Sequence, residues 1–157
     1  MIKMIPNTIT GIFAGMILYT FFCLYQAMNM PIDMVFMSAK VIDTEGRTER
    51  PLGTTVKRGE RVVVKFHIPA RNVSGWNYVE RRLIDASNAE VVVSKTDRRW
   101  KAHTPFEVEG QFPIPLTAAT GCGAVIFSKS FYTIKWNMLT KVAPLAGSSP
   151  PITFCIE

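Results

Sequence analysis

A mainly β protein carried on one N-terminal transmembrane helix is the fold that the sequence predicts. Three observations lead there: a charge-free apolar run from Met4 to Ile32, a switch to two-residue alternation beyond it, and turn residues recurring at intervals of roughly 8 to 15 residues. With 48% hydrophobic and 19% charged side chains among 157 residues, the composition is that of a folded chain rather than a disordered one. Residues 1–33 are read as the anchor and residues 34–157 as one domain of ordinary size.

The anchor comes first. The stretch from Ile9 to Met28 carries no charge on any face and is long enough, at 1.5 Å per residue, to cross a hydrocarbon core. A buried helix of a soluble protein would show a polar stripe. A cleaved signal peptide would need a shorter apolar core and small residues at its end, and Tyr25-Gln26-Ala27 and Met37-Ser38-Ala39 each put a bulky residue where a small one is wanted. Cys23 follows Phe21-Phe22 and lacks the surroundings of a lipoprotein processing site, so it is read as an ordinary apolar position. Gly11 and Gly15 form a Gly-x-x-x-Gly pair, a candidate contact for a second copy of the helix.

Charge sets the expected topology. Of the 18 Lys and Arg residues only Lys3 precedes residue 34, whereas all 12 Asp and Glu residues lie at or beyond Asp33, and the first lysine after the helix is Lys40. The basic flank therefore favours an N-terminus in the cytoplasm, a helix in the inner (cytoplasmic) membrane and a periplasmic or extracellular domain. That domain keeps 17 basic and 11 acidic side chains, a net +6, which suits an anionic neighbour. Nucleic acid is not expected outside the cytoplasm.

Beyond Pro31 seven strands are expected: Met34 to Ile42, Arg61 to Ile68, Tyr78 to Ile84, Glu90 to Lys95, Phe106 to Phe112, Ala124 to Ile134 and Ile152 to Ile156. In the second of these Val62, Val64, Phe66 and Ile68 share one face and Arg61, Val63, Lys65 and His67 the other. Turn signals separate the strands, among them Thr44-Glu-Gly46, Ala86-Ser-Asn88 and Gly121 to Gly123. No later segment carries a helical stripe. Short antiparallel strands of this kind predict an immunoglobulin-like sandwich, with a small β-barrel as the alternative. Cys122 and Cys155 lie beside two of these strands; in an oxidising compartment they can form one bridge, and in a reducing one they remain two thiols.

Catalytic signatures are lacking. His67 and His103 have no neighbour at metal-ligand spacing, and no nucleophile elbow, phosphate-binding glycine loop or His-Glu-x-x-His run occurs. Glu107 and Glu109 are read as a solvated strand face, and Gly121-Cys-Gly123 as half of the bridge rather than a reactive thiol. Asn72-Val-Ser74 matches a glycosylation acceptor, a pattern with meaning only in a eukaryote. No catalytic residue, metal site or cofactor is expected. The strongest polar feature is Asp97-Arg-Arg-Trp-Lys101, in which Arg98, Arg99, Trp100 and Lys101 combine cations with an aromatic ring suited to phosphates, carboxylates or sugar rings, or to resting on lipid headgroups.

The run Arg82-Leu-Ile-Asp-Ala-Ser-Asn-Ala-Glu-Val91, followed by Phe112-Pro-Ile-Pro115, Gly121 and the closing Pro150-Pro-Ile-Thr-Phe-Cys-Ile156, resembles small uncharacterised proteins of tailed bacteriophages and prophages. Those join an N-terminal membrane helix to an extracytoplasmic immunoglobulin-like domain. The resemblance implies a membrane-anchored accessory of the cell envelope with no catalytic residues to carry over. The expected partners are then the lipid bilayer, an envelope protein and a second copy of the helix. No heptad pattern or lipoprotein signal of a lysis spanin accompanies it.

Overall fold

The computed structural model describes residues 4–30 and 34–157. The boundary drawn at residue 33 and the flanking charges Lys3 and Asp33, on which the expected orientation rests, lie outside the described residues.

Helix α1 spans Met4–Met28. From Ile9 onward its side chains are exposed, except that Cys23 is fully buried and Gln26 and Ala27 are half-buried. Its Ile9–Met28 portion is long and apolar enough to cross a membrane. Asn29 closes the helix, with both its backbone N–H and its side-chain amide donating to the Tyr25 carbonyl.

The body is built from strands β1 (Val35–Ile42), β2 (Glu49–Pro51), β3 (Thr55–Val56), β4 (Arg61–Ile68), β5 (Gly75–Ile84), β6 (Glu90–Trp100), β7 (Phe106–Pro113), β8 (Gly121–Ile134), β9 (Leu145–Ser148) and β10 (Ile152–Ile156). Between β8 and β9 lies a short helix, α2 (Met138–Val142). One sheet has the order β2-β1-β4-β7; the other runs β3-β10-β8-β5-β6, with β9 added to β8. Every pairing is antiparallel except β3 with β10. The arrangement is a two-sheet sandwich, and among the described residues no sheet closes into a barrel.

Alternation explains the layers. In β8 the even positions Ala124, Ile126, Ser128, Ser130, Tyr132 and Ile134 are all buried. They join Leu83, Phe154 and Ile156 in a core whose other half comes from Val41, Val62, Val64, Phe66 and Phe112. Register fixes this match, with Val62 opposite both Val41 and Phe112. All seven expected strands are present. The additions β2, β3 and β9, of two to four residues, are too short to show a period.

At Gly75 a Cβ atom would stand 2.2 Å from the Thr133 carbonyl oxygen and 2.6 Å from the Trp100 ring, so this position accepts no side chain. Around Gly11 and Gly15, by contrast, the space is open, as a helix–helix contact requires.

Candidate functional site

The basic–aromatic segment lies at the end of β6, and strand alternation divides it. β6 pairs with β5 so that Arg98 faces Asn77, Arg99 faces Trp76 and Trp100 faces Gly75. Arg98 and Trp100 therefore belong to the inner face and Arg99 to the outer one. Trp100 is 4% exposed; its indole N–H donates to the Val73 carbonyl at 2.7 Å and its ring meets Tyr132 edge-on at 5.9 Å. The expectation that Trp100 offers a free ring to a ligand is thus corrected: the missing side chain of Gly75 opens a slot in the core and the indole fills it. The buried Arg71 guanidinium packs between the Trp100 and Tyr132 rings, 4.8 and 4.4 Å from their centres.

Arg98 borders a cleft of about 190 Å³ between the sheets, leaning over Phe106 of β7. Arg81 reaches the same cleft from β5, its Nη1 donating to Ser94 Oγ at 3.3 Å. Burial, reinforced by the neighbouring Arg98 charge, lowers the Arg81 pKa. A Cβ on Gly110 would come within 2.9 Å of Arg81 Nε, so the glycine admits the guanidinium.

The outer face gathers a different set. Arg99 stacks over Trp76 at 5.5 Å, and both line a shallow hollow with Lys101 and Lys135. Sequence reading placed Arg99 and Lys101 in this patch; Trp76 and Lys135 join them only through the pairing of β5 with β6 and β8.

Several other charges pair within the body. Arg82 bridges Glu80 at 2.5 Å and also Glu90, which lowers the pKa of both carboxylates and raises its own. Lys65 pairs with Glu107 at 2.5 Å, lowering the carboxylate pKa. Asp85 is a turn organiser: it accepts from the backbone N–H of Ala119, from the Ser87 hydroxyl and from the N–H groups of Ala89 and Ser87, which hold its pKa down at about 2. Among the described residues no cluster of His, Cys, Asp and Glu could hold a metal ion. Cys122 and Cys155 are bridged, joining β8 to β10.

A set of side-chain bonds joins α1 to the body. Asn137, fully buried, caps α2 by accepting the Thr140 N–H at 3.2 Å, while its Nδ2 donates to the Cys23 carbonyl at 2.8 Å and to Gln26 Oε1 at 3.3 Å. One residue earlier, the Trp136 carbonyl accepts from the Tyr19 hydroxyl at 2.6 Å. Thr140 Oγ1 accepts from the Ile134 N–H and donates to the Asn137 carbonyl, tying the corner to β8. Its signal in the sequence is an Asn three residues before a Thr, too brief for periodicity to expose.

No protein-family model and no curated protein matches this chain. Among solved structures it is similar to Spo0M, a sporulation control protein from Bacillus subtilis, at 13% sequence identity and a TM-score of 0.42. That likeness covers 77% of this chain and 50% of the other, so the chain spans about half the length of the Bacillus protein.

Proposed function

We propose that the protein is a membrane-anchored, non-enzymatic component of the cell envelope, phage or prophage encoded, whose immunoglobulin-like sandwich makes protein or surface contacts while α1 holds it at the membrane. The observation that carries this reading is the junction: from Ile9 onward α1 exposes its side chains except at Cys23, Gln26 and Ala27, and Tyr19, Cys23 and Gln26 bond the corner around Asn137. A signal sequence destined for removal has no need of such specific bonds to the mature domain. The Cys122–Cys155 bridge supports an oxidising compartment for the domain, and the basic flank at Lys3 supports a cytoplasmic N-terminus. Protease digestion of intact and lysed spheroplasts tests this topology. The domain is expected to be cut in intact spheroplasts, and protection until lysis would reverse the orientation.

A second reading, recognition of anionic lipid headgroups, is favoured by one observation. Trp76, Arg99, Lys101 and Lys135 converge beside the corner that touches α1. Positive charge next to a membrane anchor meets phosphate without further steering. Phosphatidylglycerol co-purifying with the detergent-solubilised protein should fall in Arg99→Glu/Lys101→Glu, and an unchanged lipid content would dismiss the patch.

A further inference from the structure

The geometry points to a second membrane-contacting element: the corner Lys135–Val142 is immersed in the leaflet on the domain side, beside α1. The inference rests on the reading of α1 as a membrane span, and adds to it a place where the β-body itself enters the lipid.

Depth is the first argument. A hydrocarbon core about 30 Å thick takes about 20 helical residues at 1.5 Å each. Lys3 is a charge that the core excludes. A span that begins just after it ends near Cys23. Tyr19 then lies four residues, or ~6 Å, inside the boundary, and helical side chains lean back toward the N-terminus, which takes the Tyr19 hydroxyl deeper still. That hydroxyl donates to the Trp136 carbonyl at 2.6 Å, so the corner reaches the same level. Sliding the span toward the twenty-residue stretch Ile9–Met28 sinks the corner further. Both placements put it at or below the ~5–10 Å depth occupied by interfacial helices.

Chemistry is the second. At the corner Trp136 is 75% exposed, Met138 61% and Val142 88%, an apolar cluster that water would penalise. Trp136 adopts φ +66°, a left-handed conformation that costs a bulky residue energy. Lys135 and Lys141 flank the cluster, and the Lys135 ammonium lies 5.5 Å from the Trp136 ring centre. An aromatic ring with apolar neighbours and flanking lysines is the composition of a membrane interface. Several backbone groups of the corner keep partners at this depth: the Trp136 carbonyl accepts from Tyr19, the Thr140 N–H donates to the Asn137 side chain, and the Asn137 carbonyl accepts from the Thr140 hydroxyl.

The test uses the full chain reconstituted into vesicles of phosphatidylcholine and phosphatidylglycerol, with and without phosphatidylcholine brominated on its acyl chains. Flotation establishes that the protein is held, and bromine quenching of tryptophan emission reports lipid contact. Trp76→Phe should keep the quenching and Trp136→Phe should lose most of it. Met138→Glu/Val142→Glu should also lose it while still floating. Equal quenching in the wild type and Trp136→Phe, with both floating, would overturn the immersed corner and leave the anchor standing. A protein that does not float overturns the anchor and the inference together.

Discussion

Replacing Asn137 by alanine should release the sandwich from α1. The side chain does three things at once: it caps α2 through Thr140, donates to the Cys23 carbonyl and donates to Gln26. A lost N-cap costs about 1 kcal/mol, and each of the two interelement bonds contributes about 1 kcal/mol net. The Cys23 carbonyl remains within α1 and so keeps its helical partner, which removes any large penalty for an orphaned acceptor. The expected loss of docking is therefore ~2–3 kcal/mol, or roughly 30- to 150-fold in the docked-to-undocked ratio. Cys23 provides the readout, because it is the one free thiol among the described residues and is fully buried against the corner. Alkylation by a membrane-permeant maleimide should accelerate by that factor in Asn137→Ala. Asn137→Asp keeps the acceptor for Thr140 but turns a carboxylate toward the Cys23 carbonyl, so it should accelerate alkylation while leaving α2 formed. Rates within about twofold of wild type in both variants would refute the docking geometry, since each removes the donor that the junction uses.

Three further outcomes concern the body. Serine at Cys122 and Cys155 should destabilise it by about 4 kcal/mol, the loop-closure value for a bridge spanning 33 residues, read as a lower denaturation midpoint in detergent that dithiothreitol no longer alters. Gly75→Ala drives a methyl into the Thr133 carbonyl and Trp100, and should cost ~1–3 kcal/mol or more with a changed near-ultraviolet tryptophan signal; a neutral substitution would contradict the close approach. Asp85 has a folded pKa of about 2 against an ordinary 3.8, so its contribution to stability is complete above the ordinary value and disappears as pH falls through the folded one. The unfolding midpoint of Asp85→Asn should accordingly fall less steeply than that of the wild type over that window, and parallel curves would remove Asp85 as the cause.

The long strands were legible because each buries one face, so alternation in Arg61–Ile68 or Ala124–Ile134 is written directly into residue type. The bridge was legible as a possibility, since Cys122 and Cys155 sit beside strands that become register partners. The fate of the Arg98–Lys101 segment was not. Which of four consecutive side chains faces inward depends on the pairing of β6 with β5, and the slot for Trp100 depends on Gly75, twenty-five positions away. The outer patch was hidden for the same reason: Trp76 comes from β5 and Lys135 from the turn that follows β8. The junction was least visible, because Asn137 and Cys23 are separated by 114 residues and joined by side-chain bonds that leave no periodic trace.

The junction also constrains any pairing of α1 with a second copy. Tyr19, Cys23 and Gln26 meet the corner, which fixes the rotation of the sandwich about the helix axis. At ~100° per residue, Gly15 lies only about 40° around the helix from Tyr19, on the same side and one turn closer to the N-terminus. Gly15 therefore stands on the side of the docked body, and Gly11, about 80° from Tyr19, stands at its edge; neither lies on the opposite face. Two helices crossing closely at Gly11 and Gly15 would bring two immersed corners toward each other in the same leaflet. Lys135 and Lys141 flank each corner, so the approach sets like charges together unless anionic headgroups lie between them. Any pairing through the glycines would thus be coupled by geometry to binding of anionic lipid: lipid that screens the lysines would favour the crossing, and its removal would oppose it.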